Sequence, residues 1–236
     1  ASADALKSID FAKAKFLDEA YRAEFDACDR TNVFQGVPMT KFRRCSGDPN
    51  RLRALLSLDG GAIYFESKMG LDIDGSWKAW NSPGAVDLRE TWFKWKAGSS
   101  KKEYQIDPDA YPFVVIPIAG LKGKPDTRFR DTTGVDKGDF GLVAFDGKWT
   151  PVFVADGGPH NKIGEASPAV FKAVGKDRCR RPDPAGFCRS YLDASIERDV
   201  VTILFPGSRR ADMKRDNALA MMREESCKRI KMPGCP

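Results

Sequence analysis

The chain has 236 residues, 42% hydrophobic and 31% charged, which suits a globular protein with one sizeable core and excludes a wholly disordered one. No apolar run reaches the length of a membrane-spanning helix, so no membrane span is expected. The formal charge of +6 would favour a polyanionic partner. Lys and Arg are nevertheless scattered among acids in short clusters such as Arg43-Arg44, Arg180-Arg181 and Arg209-Arg210, the mark of a solvated surface rather than a nucleic-acid stripe.

In chain order, residues 3 to 28 carry Leu6, Ile9, Ala12, Phe16, Ala20 and Phe25 among charges, a stripe that predicts a helix packed outside the core. Charge density rises from Phe42 to Ser57 with Arg43, Arg44, Arg51 and Arg53, and Gly47-Asp48-Pro49-Asn50 reads as a turn, so the core is expected to start near Leu58. Short strands with turn signals between them follow. Ala62 to Met69 is the first, and Asp72-Ile73-Asp74-Gly75-Ser76 is a polar loop after it. Thr91 to Lys96 alternates, with Phe93 and Trp95 on one face and Lys94 and Lys96 on the other. Phe113 to Ile118 and Phe140 to Phe145 are apolar strands, and Asp146-Gly147 is a hairpin turn into Trp149 and Val152-Phe153-Val154.

That last strand ends on Asp156, where Gly157-Gly158-Pro159 predicts a turn that reverses the chain. Glu165 stands just before Ser167-Pro168, an N-cap with Pro at the first position of a short helix that Gly175 ends. Spacing alone leaves Asp156 as ordinary turn chemistry and Glu165 as a surface acid. Val200 to Phe205 is the final strand, stopped by Pro206-Gly207, and Asp212 to Ile230 reads as a helix with Met213, Leu219, Met222 and Ile230 on its apolar face. Met221 and Met222 read as packing residues.

Six cysteines fall as three local pairs, Cys28 with Cys45, Cys179 with Cys188 and Cys227 with Cys235. Many connectivities are open to six cysteines, and local pairing is the simplest. With no C-x-x-C and His160 as the single His, a Cys-His zinc site is not expected. Disulfides imply an oxidising compartment, secreted or periplasmic. The first residue is Ala with no apolar signal region before it, so a processed or trimmed chain is expected. Residues 59 to 167 carry 14 Lys plus Arg against 16 Asp plus Glu, a net of −2, so the flanks hold +8 and the middle is where a cationic or neutral ligand would bind.

The central part resembles the fungal-type endo-chitosanases, glycoside hydrolase family 75. The resemblance rests on Lys68-Met69 through Asp72-Ile73-Asp74-Gly75, Pro112 to Pro117, Gly138-Asp139-Phe140-Gly141 and Asp146-Gly147-Lys148. Its strongest pieces are Ala155-Asp156-Gly157-Gly158-Pro159, Ile163-Gly164-Glu165-Ala166-Ser167, and Val201 to Phe205 with Pro206-Gly207-Ser208. These run in the family's order over about residues 60 to 208. The chain departs where Gly157 stands, usually Thr in the family, and in its cysteine-bearing flanks, which find no counterpart.

The resemblance implies a mainly β fold with a six-stranded double-psi β-barrel core, expected over 58–208; length and the apolar stripes predict a single domain with N- and C-terminal helices in extensions 1–57 and 209–236, and a monomer is expected. The resemblance implies an enzyme that cuts β-1,4-linked glucosamine chains internally with inversion, using Asp156 and Glu165, and no cofactor is expected. Inversion needs two carboxyls roughly 6.5 to 9.5 Å apart, one protonating the leaving oxygen and one activating water. Glu165 is expected as the acid and Asp156 as the base, with the reverse open. Asp72 and Asp74 are expected to bind protonated amines of the polysaccharide, or else to be turn acids. Their Asp-x-Asp-Gly string lacks the Glu an EF-hand needs at its twelfth position, where Pro83 stands, so no metal is expected. Among the tryptophans, Trp92 lies off the Phe93 and Trp95 face and is the candidate for stacking on sugar. Asp139 reads as a turn residue outside the site, and His160 as a solvated loop residue. Two rival readings are a peptidoglycan glycosidase, which the basic charge favours, and a non-catalytic wall-binding barrel.

Overall fold

The structure, a computed structural model, describes residues 6, 9–45, 55–82, 87–96 and 103–235. The turn expected at 47–50, and Arg51, Arg53 and Pro83, lie outside those residues.

The architecture is mainly β. Six strands, β1 (Ile63–Leu71), β2 (Phe113–Ala119), β3 (Phe140–Phe145), β4 (Lys148–Pro159), β5 (Glu165–Ala166) and β6 (Ile196–Leu204), form a closed ring. Around it the order is β1-β5-β2-β4-β3-β6, and β6 pairs back onto β1. The pairs β1/β5 and β2/β4 are parallel and the other four antiparallel, so the barrel is mixed. Closure removes the open sheet edges that would otherwise invite association.

Both faces of the wall are covered, which is why its strands read as unbroken apolar runs rather than as alternation. Val152 and Val154 join one buried cluster with Ile63, Phe65, Val114 and Val143. Phe153 and Ala155 join a second with Phe113, Val115, Phe140 and Leu142. Helix α1 (Glu19–Thr31) adds Tyr21 and Phe25 to the first cluster. Three short helices follow in the chain, α2 (Trp77–Asn81), α3 (Arg128–Thr133) and α4 (Pro168–Ala173). The last, α5 (Ala218–Arg229), puts Met221 and Met222 into the second cluster. Where β3 meets β6, Gly141 has no room for a Cβ, which would run into the Ile203 carbonyl.

Several expectations are corrected. Gly157-Gly158-Pro159 does not reverse the chain: β4 runs on to Pro159, with Gly157 opposite Ile116 and Gly158 opposite Pro117 of β2. The glycines serve close approach instead, since a Cβ on Gly157 would overlap Ile118. The helix expected over 3 to 28 is interrupted: Phe11–Lys13 is a 3-10 turn, Lys15–Phe16 a short strand, and α1 starts at Glu19. Asp10 and Asp18 each turn the backbone, accepting from Ala12 and Tyr21 N–H at 3.1 Å, and Asp18 becomes the N-cap. The helical stripe therefore breaks, leaving Phe16 62% exposed. The tail helix starts at Ala218 rather than Asp212, because Asn217 accepts from Lys214 N–H at 2.7 Å in the turn before it. Its buried face holds Ala218, Met221 and Met222, while Leu219 points out. Helices α2 and α3 have no counterpart in the sequence reading. Ser76 caps α2 by accepting from Ala79 N–H at 3.0 Å.

The three disulfides, Cys28–Cys45, Cys179–Cys188 and Cys227–Cys235, are the local pairs expected. No helix among the described residues is long and apolar enough to cross a membrane.

Candidate functional site

The site is organised around Val115, in the middle of β2. Asp156 of β4 is its parallel register partner on one side, and Glu165 of β5 its antiparallel partner on the other. Directly paired residues project to the same side of a sheet, so the ring brings together two acids nine positions apart in sequence. Strand β5 is only two residues long, and Gly164 sets its entry with φ +80 against the Lys68 carbonyl and Ser67 side chain, where a Cβ has no room. Glu165 then lies across two more glycines. A Cβ on Gly158 would stand 2.7 Å from Glu165 Oε2, and one on Gly70 3.3 Å from its Cγ.

Asp156 is buried, at 5% exposure. Its Oδ1 accepts the backbone N–H of Gly157 at 2.7 Å and of Trp92 at 3.1 Å. Its Oδ2 is shut off from solvent with no hydrogen-bond partner among the described residues. Loss of water, helped by the charge of Glu165, pushes its carboxyl up to about 7 against the pull of those two N–H groups.

Asp72 and Asp74, just past the end of β1, converge on the same point. One carboxylate oxygen from each lies within 4.8 Å of one from Asp156. Each is aimed by a backbone donor: Asp72 Oδ1 accepts Asp74 N–H at 2.9 Å, and Asp74 Oδ1 accepts Leu88 N–H at 2.7 Å. Burial raises Asp74 to about 8, and burial with the charges of Asp156 and Asp74 holds Asp72 well above the usual carboxylate range. Among the described residues no Lys or Arg forms an ion pair with any of the three.

These groups face an open cleft of about 670 Å³. Asp72, Asp74, Val115, Gly158 and Glu165 line it, with the Lys78–Asp87 ion pair at 3.3 Å and Tyr191 further along. Asp156 is buried and not among the residues lining it. The expected acids Asp72, Asp74, Asp156 and Glu165 are thus brought together. Trp92 is placed differently: its ring faces Arg130 and Lys137, at 5.6 and 5.1 Å from their charged groups, and its backbone N–H serves Asp156. It is not among the residues lining the cleft.

Two further expectations change. His160 is buried rather than solvated: its Nδ1 bonds the Ala119 carbonyl at 2.8 Å, its ring packs on Phe34, and desolvation lowers its pKa. Ser167 sits at the N-cap position of α4, yet its Oγ accepts from Phe113 N–H and donates to the Tyr111 carbonyl, both at 3.0 Å, tying β5 to β2. Asp139 organises a turn beside the barrel, accepting from Asp136, Gly207 and Arg209 N–H at 2.8 to 3.1 Å.

Sequence reasoning missed Val115, Gly70, Lys78, Asp87 and Tyr191 as parts of the cleft. The first two carry no sequence signal, and the others become recognisable only once Cys179–Cys188 and α2 are in place. Compared with protein-family models and with curated proteins, the sequence matches none.

Proposed function

We propose that the chain is an endo-acting, inverting glycoside hydrolase of the family 75 chitosanase kind, cleaving β-1,4 linkages in chitosan. On this reading the closed mixed barrel is a double-psi barrel, the whole chain is one monomeric domain, and the disulfides mark a secreted or periplasmic protein. The observation that carries it is that Asp156 and Glu165 are both register partners of Val115. Their backbones are therefore two strand spacings apart, about 10 Å. With side chains on one face above a cleft, that separation suits the roughly 6.5 to 9.5 Å between carboxyls in an inverting enzyme.

Burial raises Asp156 to about 7, Asp74 to about 8 and Asp72 well above the usual carboxylate range, so the aspartate set to which Asp156 belongs holds protons near neutral pH. We therefore assign the roles in the reverse of the order expected from sequence. Asp156 supplies the proton, passed through Asp72 or Asp74, which line the cleft, and Glu165 on the cleft wall takes the proton of the attacking water. The three aspartates share protons as a set and still present negative charge to the ammonium groups of glucosamine rings.

The test is to incubate the protein and its Glu165→Gln variant with chitosans of graded acetylation and with peptidoglycan, and to measure new reducing ends. Release from chitosan that falls by a factor on the order of 10³ in the variant is the expected result. Release only from peptidoglycan replaces chitosan by a wall polymer, as the net charge of +6 would favour. Binding without release, or equal release by both proteins, overturns the assignment.

A further inference from the structure

The three aspartates form an oxygen-lined cradle with which no Lys or Arg among the described residues makes an ion pair, and we propose that it binds a hard divalent cation, Ca²⁺ in preference to Mg²⁺, through Asp72, Asp74 and Asp156. Their three oxygens lie within 4.8 Å of one another, so a point between them is no more than about 2.8 Å from each. Ca–O bonds of roughly 2.3–2.6 Å are reached from there by small rotations. Mg²⁺ demands a tighter octahedron at roughly 2.0–2.1 Å, which three carboxylates spread this far do not offer.

An acidic cluster alone would say little, since exposed acids gather on many surfaces. Here Asp156 is 95% buried, being 5% exposed, and its Oδ2 lacks any partner among the described residues. A buried carboxylate oxygen without donor or counter-charge is costly unless a proton or a cation completes it. One oxygen of each ligand is held by the backbone: Asp72 Oδ1 by Asp74 N–H, Asp74 Oδ1 by Leu88 N–H, Asp156 Oδ1 by Gly157 and Trp92 N–H. Such donors orient a carboxylate, as the hydrogen bonds around metal ligands do, and Asp156 Oδ2 is left with no partner among the described residues. Water from the cleft in front of Asp72 and Asp74 can complete the coordination.

The site overlaps the proposed catalytic acid, so calcium and a substrate ammonium compete for it. This consequence rests on the glycosidase reading; the binding does not.

The experiment strips the full chain with EDTA and titrates it by isothermal titration calorimetry and thermal melting. Calcium chloride, magnesium chloride, and the variants Asp74→Asn, Asp72→Asn and Asp87→Asn are compared. Expected are one Ca²⁺ per chain with a Kd below about 1 mM, as in extracellular calcium modules, and a Tm raised by several degrees. Asp72→Asn and Asp74→Asn should weaken binding at least ten-fold with an unchanged circular dichroism spectrum, and Asp87→Asn should not. Should a variant fail to fold, terbium luminescence excited through tryptophan and displaced stoichiometrically by calcium in the wild-type chain decides the point. No heat, no Tm change and no displaceable terbium overturn the site. So does binding retained in both the Asp72 and Asp74 variants. Calcium binding by a protein that leaves both chitosan and peptidoglycan intact upholds the cation site and overturns the glycosidase. Chitosan hydrolysis without calcium binding does the reverse.

Discussion

Replacing Asp156 with Asn should make the protein more stable at alkaline pH while abolishing hydrolysis. A carboxyl raised from 3.8 to about 7 by folding is neutral in both states at low pH, so it costs nothing below about pH 4. As pH rises, the unfolded chain ionises first. Stability is then lost progressively until the folded carboxyl also ionises near pH 7. The full shift corresponds to about 4 kcal/mol at 1.36 kcal/mol per pH unit, and water and buffer cations that reach the cluster reduce it to about 2–4 kcal/mol. Asn has no such term. Its carbonyl keeps the Gly157 and Trp92 N–H bonds, and its amide can donate to Asp72 or Asp74. Guanidinium unfolding of both proteins at about pH 4, 6 and 8, with EDTA present, should show no more than about 1 kcal/mol between them at the lowest pH and the variant ahead by about 2–4 kcal/mol at the highest. An equal difference at every pH, or a less stable variant at pH 8, would refute the reasoning. The loss of reducing-end release in the same variant distinguishes a strained functional acid from an idle one.

Two further outcomes follow from the packing. Gly157→Thr, the residue usual in the family, should destabilise by about 1–3 kcal/mol because its side chain would overlap Ile118, and Ile118→Ala in the same chain should recover part of the loss, read by urea midpoints. Replacing Cys28 and Cys45 together by Ser opens a link across 17 residues and should cost about 3 kcal/mol, with Tm as the measure. Activity should fall with it, since Asn161 donates to the Arg43 carbonyl at 2.6 Å and Lys162 to that of Arg44, anchoring the cleft loop on this cystine unit.

What was legible in the chain was what local chemistry decides. Phe113 to Ile118, Phe140 to Phe145 and Val200 to Leu204 read as strands because β-branched and aromatic runs buried on both faces leave no other way to cover them. Cysteines eight to seventeen positions apart found one another because short loops close at little entropic cost. Helices α1 and α5 begin at Glu19 and Ala218, each just after a turn held by an Asp or Asn side chain, a choice between near-equal local energies that periodicity does not register.

The sequence by itself determined that this is a chain of short buried strands with local cysteine pairs, and with its cations thinned out to leave a mildly acidic middle. Only the tertiary structure decided what the acids there do together. Gly157 and Gly158 read equally well as a turn or as strand positions without side chains, and the parallel pairing to β2 selects the second. The meeting of Asp72, Asp74, Asp156 and Glu165 depends on the order in which six strands close a ring. That order is set by burial on both faces of β2, between segments about fifty and a hundred residues apart, and no local pattern in the chain encodes it.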